Sequence, residues 1–552
     1  MIESWPAHLM RGLALIAVCA LLLAPPAVAE ERSETAGAAI YRLGVLPSGA
    51  QLVGERNPGL HTVGRDAACV NCHRRSGLGM REGRQIIPPI AGRYLFYPRA
   101  RPGDDLDLPF VETMRADRDP YTEATLARAI RDGVAADGRP LGVLMPRFEM
   151  DDAAMADLIA YLRTLAPKAV PGVKNSVLSF ATIFTPDAAP AARKGVLDVL
   201  QQFFADKNNH TRAESPRLRS SRRLGFMVNR HWELHVWQLE GRPETWEAQL
   251  RAKLAAEPVF AVISGLGGKT WAPVHRFCET EALPCLFPEV DLPVDSESDF
   301  DDVYFSKGVL LEAGLIAREL QAQEEKTGAR RVVQVFRADD IGGDAARALA
   351  ASLDTAPEAT EIRIVDRSLA GAGGTQELRA ALRDTKAGDV LVLWLRPADI
   401  AALGPLPDGV SRVYISGRMG GLEQSPLPAA WRSVTHMAYP FDLPDRRRAQ
   451  VDYPLGWFRI RQIPVVALQA QSDAYLACII LSDTINHMSD TFQRDYLVER
   501  VEEGLEHRIL TGYYPRLSLA SGQSFASKGG YVVRFAENTG THVIADGDWM
   551  AP

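Results

Sequence analysis

The sequence predicts a multidomain chain: a smaller N-terminal domain that closes on a helix, then a larger α/β region. Three observations carry this. The chain has 552 residues, more than one hydrophobic core organises. Ala166-Pro167-Lys168-Ala169-Val170-Pro171-Gly172 reads as a short, stiff connector. Beyond it, apolar strand-like runs alternate with helical patterns, which implies parallel sheets covered by helices, and about 380 residues suffice for two such lobes.

Composition is that of ordinary globular protein, with 46% hydrophobic and 24% charged residues, which excludes collagenous, low-complexity and mainly disordered chains. A formal net charge of -7 gives no reason to expect a nucleic-acid partner. Residues 1–29 read as a signal peptide. Arg11 precedes an uncharged apolar run, Gly12 to Ala24, broken by Pro25 and Pro26, and Ala27-Val28-Ala29 offers a peptidase site. The run is short for a membrane span, which needs about 20 residues. A tethered anchor, or lipid on Cys19, is the competing reading, although Val18 sits where a lipobox wants a small residue. The expected mature protein is soluble and periplasmic, begins near Glu30, and has no later membrane segment.

The strongest motif is Cys69-Val70-Asn71-Cys72-His73. Two thiols at this spacing can add to the two vinyl groups of one haem, and the adjacent imidazole then reaches the iron. A zinc half-site would need further ligands at similar spacing, and no second Cys-x-x-Cys follows. A sixth ligand is expected in Leu144-Met145-Pro146, ahead of a helix that starts at Asp151 and Asp152 and carries Met155, Leu158, Ile159, Leu162 and Leu165 at helical spacing. Met145 is the expected thioether donor. Met80, Met114, Met150 and Met155 are the rivals, and Met155 belongs to the helix's apolar stripe.

Residues about 55 to 168 resemble a class I monohaem cytochrome c. The likeness rests on Cys69 to His73, Pro88-Pro89-Ile90-Ala91-Gly92, Met145-Pro146, and Tyr161-Leu162-Arg163-Thr164-Leu165. It implies an all-α domain, placed at 30–168 with an N-terminal extension, holding one covalent haem c. It also implies a proline carbonyl, from Pro88 or Pro89, that accepts a hydrogen bond from the His73 ring. Ile130-Arg131-Asp132-Gly133 with Asp137-Gly138-Arg139 is similar to cytochrome subunits that accept electrons from periplasmic dehydrogenases.

After a linker at 169–175, strands are expected at Val177–Phe184, Leu224–Val228, Val259–Ile263, Val332–Phe336, Val390–Trp394 and Val413–Ile415. Helices are expected near 269–282, 308–327, 341–353 and 375–385. Residues about 175 to 545 resemble a type I periplasmic solute-binding protein of the branched-chain amino-acid receptor kind, which places that domain at 176–552. The likeness is carried by Phe260 to Gly268 with Leu283 to Pro288, by Val303 to Ser306 with Arg331 to Gly343, and by Ala474 to Ile480 with Gly530 to Arg534. It implies two discontinuous lobes, with crossings near residues 306, 436 and 489, and a small-molecule cleft at the carboxyl ends of strands.

By that resemblance, Gly267, Gly268, Lys269 and Thr270 would hold the carboxylate of an amino acid or other small organic acid; the alternative is a tight turn with no ligand. Tyr304, Ser306, Asp339 and Ser416 fall near other cleft-lining strand ends. The turn lacks the first glycine of a nucleotide P-loop, where Ile263 stands. His231 and His235 alternate within a strand-like run and are not read as a metal pair, and Trp394 reads as core. Cys278 and Cys285 are expected either to form a local disulfide or to remain free thiols, and Cys478 to be an inert buried thiol.

The leading functional expectation is a haem c electron carrier, not an enzyme, fused to a small-molecule receptor and serving a periplasmic redox partner such as a dehydrogenase. The alternative is the solute-binding component of an ABC-type importer with an accessory haem. A peroxidase is disfavoured, because methionine ligation leaves the iron no open position.

Overall fold

The computed structural model describes residues 26–57, 59–82, 85–96, 119–165, 169–218, 230–296, 299–327, 331–354, 362–370, 375–410, 412–448, 454–488, 491–506 and 513–552. The expected signal peptide up to Pro25, Met114, Ala166 to Lys168 and the strand expected at Leu224–Val228 lie outside these residues. The chain divides into two compact units near residue 170.

In the first unit, helix α1 (Pro26–Leu43) packs along helix α3 (Asp152–Thr164). A Cβ on Gly37 would stand 2.2 Å from the Asp157 carbonyl oxygen and 2.6 Å from the Tyr161 Cβ, so this crossing requires glycine. The rings of Tyr41 and Tyr161 meet at 5.4 Å. Gly37→Ala forces the helices apart and is expected to cost about 1–3 kcal/mol, read as a lower thermal midpoint of the first unit. An unchanged midpoint would remove this crossing from the unit's stability.

Helix α3 begins as its sequence indicates: the Asp151 carboxylate accepts from the Ala154 N–H at 2.8 Å. Met155, Leu158, Ile159 and Leu162 form its buried stripe. Helix α2 (Glu123–Asp132) opens on a Thr122–Thr125 capping box and stops at Gly133, whose φ of 68° ends the helix in the left-handed region.

The all-α expectation needs correction. Strand β1 (Val53–Asn57) pairs antiparallel with β2 (Leu60–Val63) and with β5 (Arg147–Glu149), and β3 (Met80–Glu82) pairs with β4 (Gln85–Ile87). The turn after β1 carries Gly59 at φ 88°, which lets the chain reverse onto β1.

The second unit holds two sheets. The first is all parallel in the order β10 (Asp302–Val303), β9 (Cys285–Leu286), β8 (Ala261–Ile263), β6 (Val177–Phe184), β7 (His231–Gln238). The second runs β12 (Arg363–Leu369), β11 (Arg331–Arg337), β13 (Val390–Trp394), β14 (Arg412–Ser416), β15 (Thr435–Tyr439), then antiparallel β16 (Tyr531–Phe535) and β17 (Val543–Ala545). Strands β6 and β13 are buried along nearly their whole length, as expected for strands covered on both faces.

The chain leaves the first sheet after β10 and the second after β15. It then returns to the first through helices α4 (Leu468–Met488) and α5 (Arg494–Glu506). The third crossing lies past residue 526, not near 489. The reason is that the Arg494 guanidinium donates to the Val259 carbonyl at 2.7 Å and the Phe260 carbonyl at 3.2 Å, and the Ala526 N–H donates to the Tyr304 carbonyl. These bonds hold the chain against the first sheet. The expected stiff connector is docked onto the second unit: Ser179 N–H donates to the Gly172 carbonyl, and Val173 bridges Leu178.

Candidate functional site

In the first unit, Cys69 precedes a single helical turn, Val70–His73, and the His73 N–H donates to the Cys69 carbonyl at 2.9 Å. This turn places both thiols, each partly exposed, beside a buried imidazole. His73 Nδ1 lies 3.0 Å from the Pro88 carbonyl oxygen. A carbonyl only accepts, so Nδ1 carries the proton and Nε2 keeps its lone pair. Burial, opposed by that carbonyl, pushes the His73 pKa down to about 4, so the ring is neutral, the form that binds a metal. The same crowding pushes the Cys69 thiol up to about 12.

Pro88 supplies the carbonyl, and Pro89 is buried behind it. Tyr41 was not legible as part of this site, yet its hydroxyl donates to the Arg74 carbonyl at 2.6 Å and ties α1 to the motif.

Met145 sits half-buried in the loop before β5; its carbonyl accepts from the Arg147 guanidinium and its N–H donates to Gly142. Met155 is core. The Met150 carbonyl accepts from Arg131, which docks α2 against the start of α3. A buried neutral imidazole with a free Nε2, set beside paired thiols on a single turn, fits a covalently held haem.

Residues 61–166 match the sequence model of the cytochrome c family. This stretch is a cytochrome c domain. It implies covalently bound haem c and suggests electron transfer.

The chain is similar to several solved structures, at low identity. One is the fatty acid ABC transporter substrate-binding protein from Thermomonospora curvata, with TM-score 0.49, 14% identity, 70% of this chain and 95% of that one covered. Another is a substrate-binding periplasmic protein from Ralstonia solanacearum (0.47, 13%, 67% and 100%). A third is the branched-chain amino acid transporter substrate-binding protein LivJ from Streptococcus pneumoniae, in complex with isoleucine (0.47, 12%, 68% and 100%). No curated protein matches. Among the described residues, no helix is long and apolar enough to cross a membrane.

Outside the cytochrome c domain, the carboxyl ends of the two sheets meet. The expected anion-binding turn lies there, but its Gly267, Gly268 and Lys269 N–H groups are already engaged. Gly267 N–H donates to the Glu289 carbonyl at 3.1 Å, Gly268 N–H to Thr185 Oγ1 at 3.0 Å, and Lys269 N–H to Asp187 Oδ2 at 2.6 Å. The Thr185 hydroxyl donates to the other Asp187 oxygen at 2.6 Å. An internal carboxylate thus occupies the place expected for a ligand's. A Cβ on Gly268 would lie 2.3 Å from the Asp187 Cγ, so glycine is needed to admit it. Thr270 is half-buried just after this turn.

Lys269 and Asp339 do come together, with Nζ 2.6 Å from the Asp339 carbonyl oxygen. Tyr304 does not line this junction. It is buried against Phe525, with its hydroxyl 2.9 Å from His275 Nδ1, because the chain here continues the edge of the first sheet. Ser306 Oγ accepts from the Gly308 N–H and shapes a turn.

Ser416 joins a buried network. Its hydroxyl donates to Glu312, which also accepts from the Arg418 N–H at 2.9 Å. Burial, countered by these donors and the Arg418 charge, pushes Glu312 up to about 7 from 4.5. An unfolded chain releases this proton first, so rising pH favours unfolding between about 4.5 and about 7. Asp302, pushed up to about 7 by burial, adds a slope of the same sign. Glu312→Gln is expected to flatten the fall in urea stability between about pH 5 and about pH 7.5 by a few kcal/mol, followed by tryptophan fluorescence. An identical slope in the variant would refute this assignment.

The main charged groups at the junction were missed. Arg418 pairs with Glu289 at 2.7 Å and Asp291 at 3.5 Å, and Arg396 pairs with Asp291 at 2.7 Å and Asp340 at 2.8 Å. Asp473 on α4 is buried beside Glu289 and accepts from the Tyr514 hydroxyl. The acids that could grip an ammonium group are present, but arginines neutralise them. Their signal was position: Glu289, Asp291, Arg396 and Arg418 lie within a few residues after a strand end, where ligands of such sheets bind.

Cys278 and Cys285 are both free and buried, so the disulfide reading is not realised. Cys478 is a buried thiol whose pKa burial raises further.

Proposed function

We propose that this chain is a periplasmic electron-transfer protein in which Cys69 and Cys72 hold one haem c through thioethers, with His73 Nε2 and the Met145 thioether as its axial ligands. Residues 1–29 export it, 30–168 carry the haem domain, and 176–552 form a two-lobed receptor module for a small molecule. The observation that carries the reading is the His73 Nδ1–Pro88 hydrogen bond beside the paired thiols. When bound, haem c supplies a one-electron couple near neutral pH. Pro88 fixes the imidazole's tautomer and orientation, and Met145, on a loop stiffened by Pro146, supplies a soft donor that favours the reduced state.

The receptor reading is supported by one parallel and one mainly parallel sheet whose strand orders reverse beside β6 and beside β11, with the carboxyl ends of their parallel strands facing each other. Asp187 in the glycine turn disfavours an acidic ligand there. The electron-carrier role serves a periplasmic dehydrogenase, with ligand in the cleft controlling the exchange.

Met145→Ala tests the ligation: it is expected to abolish the thioether-to-iron charge-transfer band and lower the reduction potential, whereas Met150→Ala leaves both unchanged. The reverse outcome transfers the role to Met150. Stopped-flow reduction of the full chain by periplasmic extract, with and without ligands found by thermal shift, tests the coupling. Tight ligand binding with no effect on reduction would favour a solute-import subunit instead.

A further inference from the structure

A second group of metal-ligating side chains lies in the second unit, away from the strand ends where its sheets meet. Cys278 stands in the last turn of the helix Ala272–Thr280, Cys285 opens β9, and Asp302 opens β10 in direct parallel register with Cys285. All three are wholly buried. Their two sulfurs and a carboxylate oxygen lie within 4.8 Å of one another.

Asp302 is the decisive residue. Neither of its carboxylate oxygens has a well-aligned hydrogen-bond donor, although the side chain has no solvent exposure; only the His275 ring and the Cys285 thiol approach it. Its nearest cation is His275, whose Nδ1 is 3.5 Å away and whose ring is shared with the Tyr304 hydroxyl at 2.9 Å and Asp299 at 2.6 Å. Asp301 is buried alongside, and Glu279 is saturated by the N–H groups of Phe300, Asp301 and Asp302. Three carboxyl groups, of Asp299, Asp302 and Glu279, thus crowd one imidazole, while Asp301 faces Arg494. A buried carboxylate without well-aligned donors is costly, and a divalent cation removes that cost.

We propose that Cys278, Cys285 and Asp302 form a zinc site, with His275 as a positioning residue that orients the Asp302 carboxylate. Two sulfurs and one oxygen suit Zn²⁺, whereas calcium and magnesium take oxygen sets without thiolate. Binding converts two thiols to thiolates and releases their two protons, together with any proton that Asp302 holds, with no change of oxidation state. The ion would tie the end of a helix to the short edge strand of the first sheet and to its neighbour. A disulfide between the same cysteines would require an external oxidant, and it would leave Asp302 uncompensated.

The test uses the full-length, haem-loaded protein from the periplasm, incubated with zinc chloride and then desalted. Elemental analysis is expected to give zinc in equal amount to haem iron, with both thiols protected from alkylation until a chelator is added. Cys285→Ser is expected to lose the zinc, and Asp302→Asn to hold it at least tenfold more weakly, with the haem spectrum of each unchanged. If either variant fails to fold, thiol protection in the wild-type chain still decides the question. Three results would each overturn the proposal: wild-type thiols that alkylate freely in the presence of zinc, a chain lighter by two hydrogens that retains no zinc, or retention undiminished in both variants.

Discussion

A chain secreted with Cys69→Ala and Cys72→Ala is expected to contain no covalent haem. Its intact mass is that of the bare polypeptide, and acidified organic solvent extracts any residual pigment. Each thioether is one bond to a vinyl carbon, so a single substitution is expected to leave haem attached through the remaining sulfur in reduced yield. His73→Ala separates attachment from ligation: both sulfurs remain, but the proximal nitrogen is gone and the Pro88 carbonyl has lost its donor. That variant is expected to keep pigment through denaturation while losing the low-spin spectrum in the native state. Full haem content in the doubly substituted chain would dismantle the assignment. These effects are the largest available in the first unit because both sulfurs and the imidazole come from one turn of chain.

The second large effect is expected from Arg418→Ala. The guanidinium is 3% exposed, 2.7 Å from Glu289 and 3.5 Å from Asp291. It also donates to the Val290 carbonyl. Its removal leaves Glu289 and Asp291 without this cation, and Asp473 beside them. Breaking a buried pair from one side costs about 3–5 kcal/mol. The loss is to be read by urea unfolding with tryptophan fluorescence, which reports the second unit alone, since every tryptophan except Trp5 lies past residue 230. The haem spectrum is expected to remain that of the parent. Arg418→Ala combined with Glu289→Gln is expected to recover part of the loss, because the stranded charge is then gone. A variant as stable as the parent would show that Arg396 alone balances the junction.

Features encoded in contiguous residues were legible in the sequence. The Cys69–His73 motif and the helix after Asp151 depend on neighbours within a few positions, and strands β6 and β13 fall where unbroken apolar runs place them. What was hidden depends on partners far along the chain. Helix α1 joins the first unit through Gly37 and Tyr41, whose contacts are on α3 and at Arg74, so nothing local marks Gly37 as a close-approach site. Strand β1, Val-Gly-Glu-Arg-Asn, lacks the alternation that identifies a strand and exists because β2 and β5 pair with it. The arginines at the sheet junction reach carboxylates 105 and 129 positions away. The glycine turn was read as a cradle for a ligand's carboxylate, and the Asp187 carboxylate that Lys269 N–H meets there was not foreseen, because Asp187 lies 82 residues earlier.

That resident carboxylate changes what a binding measurement at the junction would mean. An incoming acid meets a rival tethered to the same polypeptide, at an effective concentration that no dialysis can lower. The affinity observed is therefore the difference between two associations, and a molecule with excellent complementarity would register as a weak one for as long as Asp187 holds its seat.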